Sequence, residues 1–295
     1  MKHEAYELGD YPLVNLKPFL LDGKDAASPA PLVVVCPGGG FMGCSPNEGA
    51  PVARMLNRAG YHAAVLTYTT AASAPGVSSY PQALYDLADA ISLVRANAHA
   101  WGVDRERIAI LGFSAGGWLC AMYENLWNGP LFEGHATPEE RRPDAAVLCY
   151  PLVDYRGYGM AHRDEADLAA VLGTGDKVQM EAFVSAMNQA LLGDRPLTDE
   201  LVAEVSPLDH IGPDTPPTFV WTTFGDGLLD PRQSLSYASR LHAAGIPSEL
   251  HVFQEGFHGL SLANEATARK PEQVNPHVAH WAELACEWLS LTFGA

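Results

Sequence analysis

The segment at 112–116, which reads GFSAG, constrains the fold of this chain more than any other stretch. It follows an apolar run at 108–111 and opens a helical, apolar stretch that continues to 126. A G-x-S-x-G motif between a strand and a helix forms a tight, strained turn that exposes the serine hydroxyl at the edge of a sheet. A glycine-rich turn with a bystander serine is the alternative, and the strand–turn–helix setting disfavours it. The motif therefore predicts an α/β protein with Ser114 as a candidate nucleophile.

Short apolar runs alternate with amphipathic helical segments along most of the chain. Strands are predicted at 32–36, 62–68, 107–113, 145–150, 218–223 and 249–253, and helices at 47–59, 80–101, 116–126, 231–244 and 277–291. Such alternation predicts a mostly parallel central sheet flanked by helices on both faces. Residues 3–20 are expected to add one or two strands at the sheet edge.

The whole chain, 1–295, is expected to form a single α/β domain, and the stretch at 152–215 interrupts its strand–helix rhythm. This stretch contains helical patterns at 164–172, 178–192 and 198–205 but no convincing strand. An insertion after a strand's carboxyl end lies above the sheet, where binding sites form. The segment is therefore either a helical cap over the site or a helical excursion without a role in binding.

A glycine loop, PGGGF at 37–41, follows the predicted strand at 32–36. Glycines allow backbone N–H groups to turn toward a substrate oxygen, and such groups stabilise the oxyanion of an acyl-transfer reaction. Gly39, Gly40 and the amide of Ala115 are the candidate oxyanion hole. A phosphate-binding loop is the rival interpretation, but neither GxxxxGK[ST] nor GxGxxG is present.

His258, in the loop sequence GFHGL, is the candidate general base because it follows the last predicted strand and has small neighbours. The acid partner must lie between the serine and the histidine in this chain order. Asp226 follows the strand at 218–223 and is favoured. Asp230, which precedes a proline and can cap the next helix, and Asp209, beside a histidine, are the competitors.

The charge of the chain narrows the range of partners and locations. The formal net charge is −17, which disfavours nucleic-acid binding and docking on anionic membranes. The start lacks a secretory apolar region, no apolar run approaches transmembrane length, and the five cysteines show no CxxC pattern, so a cytoplasmic location is expected.

Without HExxH or ligand-spaced cysteines, neither a metal nor a cofactor is expected. The oligomeric state stays open between a monomer and a homo-oligomer.

At the motifs described above the chain resembles the α/β-hydrolase esterases described as acetyl xylan esterase-like, within a larger group that includes carboxylesterases. The resemblance covers roughly residues 30–290 and implies the α/β-hydrolase fold and a triad of Ser114, Asp226 and His258. It also implies hydrolysis of a small-molecule ester, such as an acetylated sugar, through an acyl-enzyme. The chain departs from many relatives at Pro37, where they carry histidine, and at Trp118, where the acetyl xylan esterase-like subset often carries histidine.

Two other functions remain open at this level. A serine peptidase of the prolyl oligopeptidase type would use the same three residues, although no propeller domain is encoded here. A non-catalytic ligand-binding homologue on the same fold is disfavoured because all three candidate triad residues are present.

Overall fold

A computed structural model describes residues 4–156 and 177–294, and its centre is an eight-stranded sheet. The strands are β1 (Tyr6–Glu7), β2 (Asn15–Phe19), β3 (Ala30–Cys36), β4 (His62–Thr67), β5 (Val103–Phe113), β6 (Ala145–Cys149), β7 (Thr218–Thr223) and β8 (Ser248–Phe253). Their order is β1-β2-β4-β3-β5-β6-β7-β8. The two N-terminal strands pair antiparallel at one edge, as expected from residues 3–20, and the other six run parallel. The predicted mostly parallel sheet is therefore confirmed.

Helices connect the strands and cover both faces of the sheet. They are α1 (Ala50–Arg58), α2 (Ser79–Trp101), α3 (Ala115–Leu126), α4 (Pro138–Arg141), α5 (Lys177–Leu192), α6 (Asp199–Glu204), α7 (Arg232–Ala243), α8 (Pro276–Ala279) and α9 (Trp281–Phe293). The predicted helix at 277–291 is thus two helices, because the chain leaves helical hydrogen bonding near His280. Within the two described ranges, no helix has both the length and the apolarity needed to cross a bilayer.

The core has two layers, one on each face of the sheet. Along β3, Leu32 and Val34 face the layer that contains α2 and α3, whereas Val33 and Val35 face the layer that contains α1 and α9. Side chains alternate across a strand, so a strand buried on both faces must be apolar throughout. This requirement explains the unbroken apolar run of β3 and the helices on both sides.

The parallel register sets where functional groups can gather. Carboxyl ends of parallel strands meet at one edge of a sheet, and the loops after β3, β5, β7 and β8 all leave from that edge. Of the insertion at 152–215, the predicted helices at 178–192 and 198–205 correspond to α5 and α6. The predicted helix at 164–172 lies outside the described residues.

A residue near the C-terminal end of α3 carries a buried carboxyl group, away from this edge. Glu124 is fully buried and accepts hydrogen bonds from the hydroxyls of Tyr237 and Thr218. Burial raises the pKa of Glu124 from 4.5 to about 8. The folded protein therefore keeps this proton over a pH range in which the unfolded chain has lost it.

Glu124→Gln should stabilise the protein relative to wild type increasingly as pH rises from 5 to 8. Below the unfolded pKa of Glu124 both states are protonated, and glutamine mimics the neutral acid. Between the two pKa values, the wild type loses up to about 1.4 kcal/mol of unfolding free energy per pH unit from this group. Urea unfolding of both proteins at pH 5 and pH 8 measures the difference. A difference that does not change with pH would contradict the assignment.

Candidate active site

Ser114 lies in the turn between β5 and α3 with a strained backbone. Its φ and ψ are 53° and −113°, a conformation that a non-glycine residue rarely adopts. The turn is held in place because its N–H donates to the carbonyl of Cys149 at 3.0 Å. Gly116 is required there, since a Cβ at this position would lie 2.1 Å from the carbonyl oxygen of Cys36. The strand–turn–helix geometry expected from the motif is present.

The structure brings Ser114, His258 and Asp226 into one hydrogen-bonded chain. The Ser114 Oγ lies 2.7 Å from His258 Nε2, and His258 Nδ1 lies 2.8 Å from Asp226 Oδ2. The side chains of Asp226 and His258 are 0% and 6% exposed. Because a carboxylate can only accept, a proton on Nδ1 satisfies the second contact and leaves Nε2 free to accept from the serine hydroxyl.

Backbone N–H groups hold Asp226, the acidic residue of this hydrogen-bonded series. The other carboxylate oxygen of Asp226, Oδ1, accepts from the N–H groups of Leu228 and Leu229 at 2.9 and 2.8 Å. With three donors around it, this carboxylate has a single orientation.

The competing aspartates are engaged elsewhere. Asp230 accepts from the N–H of Arg232 at 2.9 Å and from its Nε, although the N-cap of the helix that begins at Arg232 is Pro231 and not Asp230. Asp209 forms an ion pair with Arg156 at 2.7 Å. Of the three candidates, Asp226 is the one that the structure joins to His258.

The glycine loop after β3 lies against the serine turn. Gly39 has a φ of 136°, and a Cβ on it would lie 2.0 Å from the carbonyl oxygen of Gly43, so no other residue fits. Across the described ranges, the N–H groups of Gly39 and Gly40 have no acceptor. Ala115 is the first residue of α3, where an N–H lacks an intrahelical partner. The three amides predicted to bind an oxyanion are therefore available to one.

A cavity of about 420 Å³ opens beside Ser114 and His258. One wall includes Phe183 and Met187 of α5, and a Cβ on Gly40 would lie 3.1 Å from the Met187 sulfur. The rest of the lining combines apolar and polar groups from several loops: Gly39, Gly43, Cys44, Ser45, Asn47, Glu48, Leu228, Phe257, Gly259, Arg269 and Gln273.

Sequence reasoning missed two buried polar residues next to this cavity, Glu48 and Tyr150. Glu48 accepts from the N–H of Gly38 at 2.8 Å and from the Tyr150 hydroxyl at 2.7 Å. Burial raises the pKa of Glu48. A single acidic residue at the start of a predicted amphipathic helix is typical of a solvated first turn, so the sequence carried no signal for it.

Trp118, where the resembling esterases often have histidine, is a buried anchor. Its indole N–H donates to the carbonyl of Val205 at 2.8 Å, and its ring packs edge-on against Phe41 at 5.2 Å. It therefore connects α3 to the residue that follows α6 in the insertion and to the glycine loop. In the part of the chain that the structure describes, no three His, Cys, Asp or Glu side chains are grouped to hold a metal ion.

Comparisons with known proteins fit this architecture. The BD-FAE family model matches residues 20–241. Endo-1,4-beta-xylanase B of Butyrivibrio fibrisolvens is 30% identical over 238 residues, which are 79% of this chain and 33% of that protein. The chain spans 33% to 55% of the length of the curated relatives it matches.

Solved structures match over nearly the whole chain. An acetyl ester-xyloside bifunctional hydrolase from Caldicellulosiruptor lactoaceticus has a TM-score of 0.75 and 29% identity, covering 99% of this chain and 97% of the other. The carboxylesterase Cest-2923 from Lactobacillus plantarum WCFS1 has a TM-score of 0.78 and 26% identity, covering 99% and 98%. These likenesses confirm the predicted α/β-hydrolase fold.

Proposed function

Since this chain belongs to the BD-FAE family and has the α/β-hydrolase fold, we propose that it is a serine esterase with Ser114, His258 and Asp226 as its triad. The observation that carries the proposal is the unbroken hydrogen-bond chain from the Ser114 hydroxyl to the Asp226 carboxylate, with links of 2.7 and 2.8 Å. A serine hydroxyl is a weak nucleophile unless a base takes its proton, and this arrangement supplies the base.

The reaction proceeds by two acyl transfers. His258 accepts the Ser114 proton while the oxygen attacks the ester carbonyl, and the resulting oxyanion binds the N–H groups of Gly39, Gly40 and Ala115. The imidazolium then protonates the leaving alcohol as its bond to the acyl carbon breaks. In the second half, His258 deprotonates a water that attacks the acyl-enzyme, and the proton returns to the Ser114 oxygen as its bond to the acyl carbon breaks and the carboxylic acid leaves.

The cavity supports a short acyl group and a hydroxylated alcohol. Phe183, Met187 and Leu228 supply an apolar region next to the nucleophile, and Met187, which lies over Gly40, limits the length of an acyl group there. Arg269, together with the Asn47 amide hydrogen that the Thr267 carbonyl does not use, supplies donors for the hydroxyls of a sugar. Two similar proteins carry names that include acetyl esters or acetylxylan. The substrate is therefore proposed to be an acetylated sugar or a related short-chain ester.

The insertion at 152–215 is proposed to contribute to substrate binding, because α5 supplies two residues of the cavity wall. The remaining sequence expectations concern surroundings rather than chemistry. A cytoplasmic location, the lack of nucleic-acid and membrane partners, and the monomer or homo-oligomer alternative stay predictions.

Reaction with a fluorophosphonate tests the proposed chemistry directly. The probe should label the protein once, and peptide mass analysis should locate the label on Ser114. Wild-type protein should also hydrolyse p-nitrophenyl acetate faster than the corresponding p-nitroanilide. Labelling at another residue would reject the nucleophile, and faster anilide cleavage would favour the peptidase alternative.

Met187→Ala should shift acyl preference toward longer chains. Removing the atoms beyond Cβ enlarges the apolar region beside Gly40, and each added methylene in such a pocket is worth about 1–3 kcal/mol. We expect the ratio of kcat/KM for p-nitrophenyl butyrate over acetate to rise roughly tenfold.

Met122→Ala is the matched control, because Met122 is equally apolar and buried but packs in the core on α3. It should lower stability without changing the butyrate-to-acetate ratio. Equal ratios in wild type and Met187→Ala would remove Met187 from the acyl site.

A further inference from the structure

Glu48 occupies a buried position between two loops. One is the glycine loop at 37–41, here called the oxyanion loop, and the other is the loop after β8 that carries His258, here called the histidine loop. Only 4% of the surface of Glu48 is exposed to solvent. One carboxylate oxygen accepts the N–H of Gly38 at 2.8 Å, and the other accepts the hydroxyl of Tyr150 at 2.7 Å. The Tyr150 oxygen in turn accepts the N–H of Ser261 at 3.0 Å. No step of the acyl transfer described above uses this network.

Tyr150 carries the connection to the base. Its ring packs edge-on against the His258 imidazole with centroids 5.0 Å apart. The same ring contacts Trp221 and Phe113, so it is fixed by packing as well as by its hydroxyl. A movement of the Tyr150 hydroxyl would therefore displace a wall of the His258 site.

The turn that carries Glu48 is also attached to the histidine loop by its neighbour. Pro46–Glu48 form a short 3-10 turn, which Gly49 separates from α1 with φ −101° and ψ −104°. The Ser261 hydroxyl donates to the Asn47 carbonyl at 2.9 Å, and the Asn47 side chain donates to the Thr267 carbonyl at 2.7 Å. The turn thus connects both halves of the site.

We propose that Glu48 is a positioning residue of this site: as a carboxylate it orients the oxyanion loop through Gly38 and the His258 ring through Tyr150, and its negative charge stabilises the imidazolium formed during acyl transfer. The inference rests on the proposed esterase function.

Acceptor counting shows why a carboxylate is needed at this position. Gly38 offers only a donor, and Tyr150 uses an oxygen lone pair for the Ser261 N–H while its proton points to Glu48. A carboxylate accepts from both sides. Glutamine would direct its NH₂ group at one of the two donors and leave a buried hydrogen bond unmade.

The hydrogen bonds and charges around Glu48 act on its pKa in the direction opposite to burial. Burial raises the pKa of Glu48, whereas the hydrogen bonds from Tyr150 and Gly38 and the charges of His258 and Arg269 lower it. When His258 becomes an imidazolium, a carboxylate at Glu48 is therefore stabilised. By linkage, the Glu48 carboxylate in turn stabilises the imidazolium.

The other titratable groups near these two residues leave this coupling in place. Tyr68, Cys44 and Cys149 face Glu48 from neighbouring elements, and burial raises the pKa of each, so they stay neutral. Asp226 faces His258 from the other side through the hydrogen bond to Nδ1.

The test compares Glu48→Gln with Glu124→Gln in the full-length protein. Both glutamates are buried and accept from a tyrosine hydroxyl, but Glu124 lies ten residues beyond Ser114, about 15 Å along α3. We expect Glu48→Gln to lower kcat for p-nitrophenyl acetate roughly 10- to 100-fold with little change in KM. The acidic limb of its kcat/KM profile should move to lower pH by roughly 0.5–1 unit.

Glu124→Gln should keep the wild-type kcat and the wild-type acidic limb. Identical kcat and limb positions in the two variants would overturn the proposal. A loss of kcat with an unmoved limb would overturn its electrostatic part. A wild type that hydrolyses no ester would instead reject the esterase function itself.

Tyr150→Phe tests the link between Glu48 and His258 if Glu48→Gln does not fold. This change keeps the ring against His258 and the Glu48 carboxyl group but removes the hydroxyl link. We expect a smaller loss of kcat than in Glu48→Gln. Wild-type kcat in folded Tyr150→Phe would overturn the link from Glu48 to the base.

Discussion

Ser114→Ala should lower kcat for p-nitrophenyl acetate by about 10⁶-fold, the largest effect expected from any single substitution in this protein. The hydroxyl oxygen is the atom that would form the acyl-enzyme, and no neighbouring group can replace it once the Oγ that contacts His258 is removed. The rest of the site, including the oxyanion amides, stays in place. Any remaining hydrolysis would come from those groups acting on water.

The fold should survive this change. Alanine accepts the same backbone strain as serine, so the turn at φ 53° is no less stable than in wild type. Substrate binding, measured by KM or by competition with a product alcohol, should therefore change little. The fluorophosphonate label should disappear together with the activity.

Ser92→Ala provides the control for serine removal. Ser92 lies on α2, where its hydroxyl donates to the Ala88 carbonyl at 2.8 Å, remote from the cavity. It should retain wild-type kcat. Hydrolysis by purified Ser114→Ala at more than about one-thousandth of the wild-type rate would reject Ser114 as the nucleophile.

The parts of this site that could be predicted from the sequence are those encoded locally. The pentapeptide around Ser114 indicates the nucleophile turn, because its glycines are needed where strand and helix pass close together. A Cβ on Gly116 would lie 2.1 Å from the carbonyl oxygen of Cys36. Asp226 and His258 each follow a strand, and parallel topology brings such loops to one edge. The unbroken apolar run of β3 likewise predicts burial on both faces.

The parts that could not be predicted depend on contacts between distant segments. Glu48 meets Tyr150 across 102 positions of the chain, and nothing in the sequence around either residue indicates the pairing. Met187 lies over Gly40 because α5 returns to the glycine loop, which helical periodicity at 178–192 does not reveal. Local pattern gave the candidate reacting groups, whereas the groups that shape and orient the candidate site required the folded chain.

Asp226→Asn should lower kcat by about 10⁴-fold while leaving the structure intact. Two backbone N–H groups, from Leu228 and Leu229, donate to Oδ1 of Asp226 and would hold the amide oxygen of asparagine in that place. Its NH₂ group would then face His258 Nδ1. Since that nitrogen would have to accept, the ring proton would move to Nε2, which could no longer take the proton of Ser114.

Asp230→Asn separates this effect from the loss of a nearby negative charge. Asp230 lies four residues along the same loop but pairs with Arg232 rather than with the histidine, so its variant should keep kcat within about twofold of wild type. Steady-state kinetics of both variants on p-nitrophenyl acetate give the comparison. If Asp226→Asn kept more than about a tenth of wild-type kcat, the orienting role would belong to another group, because a histidine fixed in the wrong tautomer cannot support that rate.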